Sequence, residues 1–268
     1  MSNSKLQPIL KWAGGKRWLI PHLSPVWTNF ADRRLVEPFC GGLAVSLNLK
    51  PDSALLNDIN RHLINLYEWI QRGLIIESHF KNDKEFYLER RREFNDFIKS
   101  GLEHQKRAAE LFYYLNRTGY NGLCRFNKKG LYNVPFGKYK TINYRKTFHQ
   151  YVEIFNRWKF SSSDFENLPI SKGRDFIYAD PPYDVEFRQY AEKGFGWYDQ
   201  VRLVKWLSEQ GCPVVASNQA TDRIIRLYED YGFLIRRLDG PRRISCKGDR
   251  KPAGEILATK NIGVAGTL

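Results

Sequence analysis

Cysteine is scarce in this sequence and does not cluster. The 268 residues include four cysteines, which lie far apart at Cys40, Cys124, Cys212 and Cys246. No Cys-x-x-Cys pair occurs, and neither the cysteines nor the five histidines have the spacing of a metal site. We therefore expect reduced thiols, as in a cytoplasmic protein, and no bound metal ion.

Long apolar runs are also missing. No stretch approaches the roughly 18 apolar residues that a membrane span requires. Residues 1–16 contain no basic-then-apolar run of the kind found in a signal peptide. We expect a protein without a membrane span, without a signal peptide and without internal repeats.

Acidic residues are few relative to basic ones. Lys and Arg total 43 against 29 Asp and Glu, which gives a net charge of +14 and a pI of about 9.6. A surplus of this size favours a polyanionic partner. Simple solubility, or attraction to anionic membranes, would also produce it, and the distribution of the charge distinguishes these alternatives.

Between Leu111 and Thr147 the sequence contains no acidic residue at all. Eight basic residues lie there: Arg117, Arg125, Lys128, Lys129, Lys138, Lys140, Arg145 and Lys146. Nine aromatic residues are interleaved with them, and aromatic rings can stack on or wedge between bases while cations meet phosphates. We interpret this segment as contacting nucleic acid rather than as a solvated basic face. A second basic stretch, Arg236–Lys251, is predicted in a late hairpin that flanks the same groove.

Short apolar runs alternate with helical patterns along most of the chain, which is typical of an α/β fold. Buried strands are predicted at Arg34–Phe39, Ser53–Asp58, Asp175–Asp180, Pro213–Asn218 and Leu234–Asp239, and an edge or terminal strand is predicted at Glu255–Asn261. Crossover helices are predicted at Asp199–Glu209 and Thr221–Tyr231. The alternation predicts a Rossmann-like sheet with helices on both faces, in a main domain formed by residues 1–60 and 146–268.

The middle of the sequence departs from this alternation. Phe80 to Leu115 has a helical pattern without a strand, and Gly119 to Tyr139 is rich in Gly, Asn and aromatic residues, as in a hairpin with loops. We infer an inserted helical and β-hairpin domain at residues 61–145. Its charge makes it the part that recognises nucleic acid.

A glycine turn follows the first predicted strand. The run is Glu37-Pro38-Phe39-Cys40-Gly41-Gly42, and its glycines allow a ligand to approach the backbone closely. Asp58 ends the next strand, where a carboxylate can accept hydrogen bonds from both hydroxyls of a ribose. Capping of the following helix is the alternative role for Asp58, and the two are compatible. Glu37, Phe39, Gly41 and Asp58 are therefore candidates for binding a nucleoside-containing cofactor.

The opening loop, Lys11-Trp12-Ala13-Gly14-Gly15-Lys16, could close over such a cofactor. Trp12 could pack near its adenine or a sulfonium centre, and Lys16 could meet its carboxylate. A basic surface loop is the alternative.

The chemistry is indicated by Asp180-Pro181-Pro182-Tyr183, which follows the apolar strand ending at Ala179. An exocyclic adenine amine is a poor nucleophile because its lone pair is delocalised into the ring. The Asp180 carboxylate and the Pro181 carbonyl can each accept one N–H, which directs the lone pair toward an incoming methyl group. Pro182 stiffens the loop, and Tyr183 offers a face for a base. The sulfonium methyl is already activated, so no metal or covalent nucleophile is required.

These features resemble the Dam family of DNA adenine N6-methyltransferases over nearly the whole chain. The matching segments are Lys11–Lys16, Glu37–Gly42, Asn57–Asn60, Gly119–Asn127, Tyr132–Lys140 and Asp180–Tyr183. Their order is the α-type arrangement of that family. The two segments between Gly119 and Lys140 are the most specific, because they belong to the target-recognition part. The segment Asp184–Tyr190 looks shorter than in typical cellular members.

The resemblance implies that a methyl group passes from S-adenosyl-L-methionine to adenine N6 in double-stranded GATC after base flipping, leaving S-adenosyl-L-homocysteine. It implies cofactor contacts by Trp12, Lys16, Asp58 and Asp180. The implied DNA contacts are Lys11, Tyr120, Asn121, Leu123, Arg125, Pro135, Lys138 and Tyr139. Among these, Tyr120 wedges into the duplex and Lys11 meets the outer guanine. An arginine such as Arg125 can donate two hydrogen bonds to guanine, worth about 1–3 kcal/mol of discrimination.

Two other functions are considered. A catalytically silent GATC-binding regulator has no need of Asp180–Tyr183, and methylation of RNA or of an amide is disfavoured by the Asp and by the recognition insert.

Mismatch-repair marking, phage self-protection and restriction–modification all use the same catalytic parts. We expect a monomer in the cytoplasm of a bacterial or phage-infected cell.

Overall fold

The computed structural model describes residues 6–184, 194–240 and 253–263. The α-helices of this part are α1 (Ile20–Thr28), α2 (Ser46–Leu49), α3 (Arg61–Gln71), α4 (Lys84–Lys99), α5 (Lys106–Thr118), α6 (His149–Phe155), α7 (Trp197–Glu209) and α8 (Asp222–Asp230). The strands are β1 (Arg34–Glu37), β2 (Ala54–Asn57), β3 (Trp158–Ser161), β4 (Asp175–Ala179), β5 (Val214–Gln219), β6 (Leu234–Gly240) and β7 (Ala253–Lys260). Short 3-10 turns lie at Arg17–Leu19, Tyr120–Gly122 and Phe165–Asn167.

The described strands form a seven-stranded sheet in the order β3-β2-β1-β4-β5-β7-β6. β1 pairs in parallel with β2 and β4, and β4 pairs in parallel with β5. β7 runs antiparallel to both β5 and β6. The strand order reverses at β1, and ligands of open α/β sheets bind at the carboxyl ends of the strands beside such a reversal. This arrangement confirms the predicted Rossmann-like α/β sheet.

All six predicted strands are present, each within two residues of the expected ends. The strand predicted at Glu255–Asn261 is the last one along the described chain, but it is not an edge strand, because β7 lies between β5 and β6. They were predictable because strands buried on both faces are nearly continuous apolar runs, and every residue of β2 and β4 is buried. The two predicted crossover helices are α7 and α8, and the helical stretch before Leu115 consists of α4 and α5. β3, α1 and α6 had not been predicted.

The predicted hairpin between Gly119 and Tyr139 contains no regular strand. An antiparallel bridge joins Phe126 to Tyr132, and another joins Gly119 to Phe136. The ladder stays this short because four residues inside the segment adopt positive φ, which a pleated strand does not allow. They are Asn121, Gly122, Gly130 and Lys138.

The chain divides into two compact units, which differ from the predicted domain limits. Unit 1 comprises Met1–Arg17, Gly41–Lys50 and Asp58–Ser162, and unit 2 comprises Trp18–Cys40, Pro51–Asn57 and Ser163–Leu268. A recognition domain at residues 61–145 stays a prediction. Most of Asp184–Tyr190 and of the basic stretch Arg236–Lys251 lies outside the described residues.

The core of unit 2 joins the sheet to α7 and α8. Val36, Ile177 and Val214 from three adjacent strands are fully buried, together with Leu203 and Leu207 of α7. Burying a side chain of this size contributes about 1.5–3 kcal/mol. The core therefore fixes the ends of β1, β4 and β5 against one another. As a result, the polar residues that follow those strands are held in fixed positions.

Candidate active site

The carboxyl ends of β1 and β4 are neighbours in unit 2, where Val36 is paired with Ile177. Glu37 ends β1 and is buried, and Asp180 directly follows β4. Phe39 packs edge-on against Phe195, with ring centroids 5.5 Å apart. The reversal of strand order at β1 thus places two predicted site residues at the ends of adjacent strands. Glu37 is the last residue of β1, and Asp180 is the first residue after β4.

The glycine turn is built around Trp12 within unit 1. Gly41 has a φ of +45°, and a Cβ placed on it would lie 2.8 Å from Trp12 Nε1. A Cβ on Gly42 would lie 2.9 Å from the Trp12 Cβ. Any side chain at either position would displace the indole, so both glycines are required for Trp12 to lie against the turn.

Asp58 holds the same turn from the other side. Its Oδ2 accepts the Gly41 backbone N–H at 3.1 Å, and its Oδ1 accepts the Asn60 N–H at 2.9 Å. Burial raises the pKa of Asp58, and these two hydrogen bonds offset part of the effect. Asp58 does not cap α3, because the Asn60 side chain accepts the N–H groups of His62 and Leu63. Each carboxylate oxygen has a further lone pair for a ribose hydroxyl.

Lys16 is buried in unit 1, with 4 % of its surface exposed. Trp12, Gly41 and Asp58 thus combine a cradle with an acceptor pair for hydroxyls, and Lys16 of the same unit carries a positive charge. This set fits S-adenosylmethionine, which carries a ribose and a carboxylate.

The Asp180 carboxylate is oriented from the neighbouring strand. Ser217 Oγ, on β5, donates to Asp180 Oδ1 at 2.8 Å, and Tyr178 Oη lies 3.0 Å from the same serine oxygen. Burial and the nearby Asp180 charge raise the pKa of Tyr178, so its hydroxyl stays protonated. Ser217 and Tyr178 are two site residues that had not been predicted.

The rest of the tetrapeptide is held by three further elements of unit 2. Gln200 Nε2, on α7, donates to the Pro182 carbonyl at 2.9 Å. Tyr183 Oη donates to Glu255 Oε2, on β7, at 2.5 Å. Burial and the charges of Asp180 and Glu255 raise the pKa of Tyr183. Asp184, the next residue, pairs with Arg223 of α8. Contacts from α7, β7 and α8 therefore hold the loop after β4 in place.

The predicted DNA contacts of the recognition segment gather on two adjoining loops of unit 1. The Tyr120 N–H donates to the Pro135 carbonyl at 2.9 Å. The Tyr120 side chain is 49 % exposed and that of Leu123 is 38 % exposed. Asn121, Arg125, Pro135 and Lys138 are exposed as well. Arg125 is oriented by Asn133, whose Oδ1 accepts its Nε at 2.9 Å.

Lys11 lies beside these loops. Its Nζ donates to the Arg117 carbonyl at 3.0 Å and lies 3.4 Å from the centre of the Tyr139 ring. A Cβ on Gly122 would lie 2.3 Å from the Lys11 Cβ. Burial and the Arg117 charge lower the pKa of Lys11. The predicted contacts Lys11 and Tyr139 are thus brought together with the Tyr120–Leu123 loop.

The interpretation of the interleaved aromatic residues as base contacts is wrong for four of the nine. Phe112, Tyr113, Tyr114 and Tyr132 are completely buried and form the core of unit 1. Among the nine aromatic residues of the segment, which the structure describes throughout, Tyr120 is the exposed one. Composition could not separate rings that build a core from rings that face a ligand.

Cys40, Cys124 and Cys212 are free, and burial raises the pKa of Cys124 to about 12; Cys246 lies outside the described residues. No group of three or more His, Cys, Asp or Glu in the described ranges could hold a metal ion. No helix in the described part is long and apolar enough to cross a membrane.

A glycine turn after β1, an acidic residue after β2 and Asp-Pro-Pro-Tyr after β4 define an S-adenosylmethionine-dependent methyltransferase. Comparison with known proteins gives the family. The sequence model of the D12 class N6 adenine-specific DNA methyltransferases matches residues 12–239. The chain belongs to this family and is a DNA adenine N6-methyltransferase that uses S-adenosyl-L-methionine as methyl donor and DNA as substrate.

Three curated relatives resemble the chain over almost its whole length. The type II methyltransferase M1.LlaDCHI of Lactococcus lactis subsp. cremoris is 34 % identical, over 95 % of each chain. The retron Ec67 DNA adenine methylase of Escherichia coli is 36 % identical, over 94 % of this chain and 91 % of its own. The DNA adenine methylase of Vibrio cholerae is 35 % identical, over 95 % of this chain and 96 % of its own. These matches favour an enzyme over a silent DNA-binding regulator.

Proposed function

We propose that this enzyme methylates the adenine of double-stranded GATC sites after that base has left the duplex. The observation that carries the proposal is the exposed face formed by Tyr120, Leu123, Arg125 and Pro135. These residues stand in the two segments that resemble the target-recognition part of the Dam family. Residues 61–145 are proposed as the recognition domain around this face.

The catalytic roles assigned to Asp180 and Pro181 follow from the chemistry of the amine. The Asp180 carboxylate accepts one N–H of the adenine amino group and the Pro181 carbonyl accepts the other. This arrangement localises the nitrogen lone pair, and the carboxylate stabilises the positive charge that develops on nitrogen. Pro182 restricts the loop, and the Tyr183 ring, fixed through its hydroxyl by Glu255, stacks on the extruded base.

The cofactor roles are assigned on the unit 1 cradle and on the end of β1. Asp58 accepts the ribose hydroxyls, Lys16 pairs with the carboxylate, and Trp12 packs against the cofactor beside Gly41. Glu37, the last residue of β1, and Phe39, two residues further on, are also proposed to contact the cofactor. When bound, S-adenosylmethionine supplies a methyl group already activated by its positive sulfur.

Arg125 is assigned to a guanine of the site. Two N–H groups on one guanidinium match guanine O6 and N7, and Asn133 orients this one. Tyr120 is assigned to the gap left by base extrusion. Leu123 and Pro135 are assigned to thymine methyl groups, and Lys11, Asn121, Lys138 and Tyr139 to the remaining contacts with DNA.

Methyl transfer from labelled S-adenosylmethionine to short duplexes tests the specificity. We expect incorporation into GATC duplexes and little into duplexes with one base pair of the site changed. Arg125→Ala is expected to relax discrimination at one guanine by about 1–3 kcal/mol. Lys140→Ala, which removes an exposed cation of the same segment, serves as the control and should lower affinity for all duplexes alike. Preferred methylation of another sequence would refute the GATC assignment.

Asp180→Ala tests the catalytic assignment separately. We expect turnover to disappear while the dissociation constant for GATC duplexes changes by no more than severalfold. If binding were lost together with turnover, Asp180 would be a structural residue. We also propose that the enzyme is a monomer, and light scattering after gel filtration tests this. A cytoplasmic location is proposed because the relatives named as DNA adenine methylases are bacterial.

A further inference from the structure

Two adjacent polar residues, Ser217 and Asn218, end the buried part of β5 in unit 2. Both are completely buried. Successive strand residues point to opposite faces of a sheet, so the two side chains reach different neighbours. Each contacts a different part of the Asp180–Tyr183 loop, directly or through one other residue.

Ser217 contacts the carboxylate. A serine hydroxyl has one proton to donate, and Ser217 donates it to Asp180 Oδ1 at 2.8 Å. The 3.0 Å contact between Ser217 Oγ and Tyr178 Oη must therefore have Tyr178 as its donor. The chain runs from Tyr178 through Ser217 to Asp180, and each hydrogen bond polarises the next.

Asn218 contacts the backbone of the loop through Gln200. Asn218 Nδ2 donates to Gln200 Oε1 at 3.0 Å, which turns the amide nitrogen of Gln200 toward the Pro182 carbonyl at 2.9 Å. Gln200 is buried on α7. An amide carbonyl and an amide NH₂ differ in what they can bond, so Asn218 determines that Gln200 acts as a donor to the loop.

We infer that Ser217 and Asn218 are positioning residues for methyl transfer. Ser217, supported by Tyr178, sets the rotation and the ionised state of the Asp180 carboxylate. Asn218, through Gln200, sets the Pro181–Pro182 backbone. The inference rests on the proposed roles of Asp180 and Pro181 as the two acceptors of the adenine amine.

The physical reason is that both acceptors can change their orientation easily when nothing holds them. The terminal torsion of an aspartate is broad, so an unsupported carboxylate samples many orientations. Transfer requires the lone pair and the methyl carbon to be aligned to within a fraction of an ångström. A hydrogen bond to the Asp180 carboxylate, and one to the Pro182 carbonyl next to Pro181, remove that freedom before the substrate arrives.

The first test uses Ser217→Ala and Tyr178→Phe in the full-length enzyme. The single-turnover rate of methyl transfer to a GATC duplex is measured from about pH 5 to pH 9, at saturating DNA and cofactor. For Ser217→Ala we expect a loss of about tenfold or more at the optimum. A carboxylate without this donor is protonated more readily, so the acidic limb of the profile should move up by roughly one pH unit.

The matched control for Ser217 is Ser46→Ala, because Ser46 is an equally buried serine on α2. Its rate and its acidic limb should stay those of the wild type. Tyr178→Phe should give a smaller change in the same direction, and the double variant should be no worse than Ser217→Ala alone. An unshifted limb in Ser217→Ala, or additive losses in the double variant, would overturn this part of the inference.

The second test uses Gln200→Met, which keeps the length of the side chain and removes its donor. We expect a loss of about severalfold to tenfold in the single-turnover rate, with the acidic limb and the dissociation constant for DNA unchanged. Gln71→Met is the control, since Gln71 donates to the Phe155 and Trp158 carbonyls of unit 1 and should leave the rate unaltered. Equal losses in both variants would mark the effect as general loosening and would overturn the role of Asn218 and Gln200.

Failure of this inference is distinguishable from failure of the proposed function. Activity retained in Asp180→Ala would remove the proposed catalytic assignment itself. An inactive Asp180→Ala together with a wild-type profile in Ser217→Ala would leave that assignment standing and refute the positioning role alone.

Discussion

His62 gives the protein a pH dependence of stability whose size can be worked out from its surroundings. The ring stacks on Phe126 at 5.0 Å and meets Phe94 edge-on at 5.2 Å. Its Nδ1 is buried without a hydrogen-bond partner in the described structure. Burial, helped by the Arg61 charge, lowers the pKa of His62 from 6.5 to about 4, against a small opposing effect of Glu103.

The sign follows from proton linkage. Because the folded pKa lies below the unfolded one, the unfolded chain binds the proton more tightly, and acid favours unfolding. The contribution of His62 is complete above pH 6.5 and is lost as the pH falls from 6.5 toward 4. Each pH unit in that window corresponds to about 1.4 kcal/mol, so the full loss is about 3 kcal/mol.

The assay is urea unfolding of wild type and His62→Phe at intervals from about pH 4.5 to pH 7.5. Phenylalanine keeps a ring in the aromatic cluster and cannot titrate, so the wild type should lose stability relative to the variant as the pH falls. His149→Gln, at an exposed position, is the control and should follow the wild type. If the wild-type and His62→Phe curves ran parallel through the whole range, the desolvation argument would be refuted.

Two further predictions concern backbone and charge. Gly41→Ala should weaken S-adenosylmethionine binding at least tenfold in calorimetry, because its Cβ would lie 2.8 Å from Trp12 Nε1. Gly73→Ala, also at positive φ but with open space around it, should cost about 1–2 kcal/mol of stability and leave the affinity intact; equal affinities in the two variants would contradict this. Asp175→Asn should destabilise the fold by about 3 kcal/mol, since the buried carboxylate accepts two hydrogen bonds from Arg34, at 2.7 and 2.8 Å. Glu153→Gln, which removes an exposed ion pair with Arg157, should change stability by less than about 0.5 kcal/mol, and comparable losses in urea unfolding would show that burial is not the cause.

The sheet was predictable from sequence because its central strands are buried on both faces. β3 was missed because it is an edge strand of four residues in which burial alternates. α1 was missed because it contains two prolines, one in its first turn and Pro25 further along. In both elements tertiary packing outweighs the local signal.

The residues of the candidate site also differ in how far the sequence predicts them. Residues within one short motif, such as Gly41 and Asp180, could be predicted because their spacing carries the chemistry. Their supports could not, since Ser217 lies 37 positions after Asp180 and Glu255 lies 72 positions after Tyr183. A partial signal was present, because Ser217 and Asn218 interrupt an otherwise apolar strand that ends beside β4.

The place of β7 in the sheet has a consequence for synthesis in the cell. β7 is the last strand of the sheet along the chain, yet it lies between β5 and β6 and carries Glu255, the partner of Tyr183. At about 5–20 residues per second, a ribosome needs roughly 4–14 s to add the 72 residues from Tyr183 to Glu255. Throughout that interval the nascent polypeptide already contains the loops proposed to recognise DNA, while Tyr183 still lacks Glu255. The loops proposed to bind DNA are thus synthesised before the last residue that holds the proposed methyl-transfer loop in place.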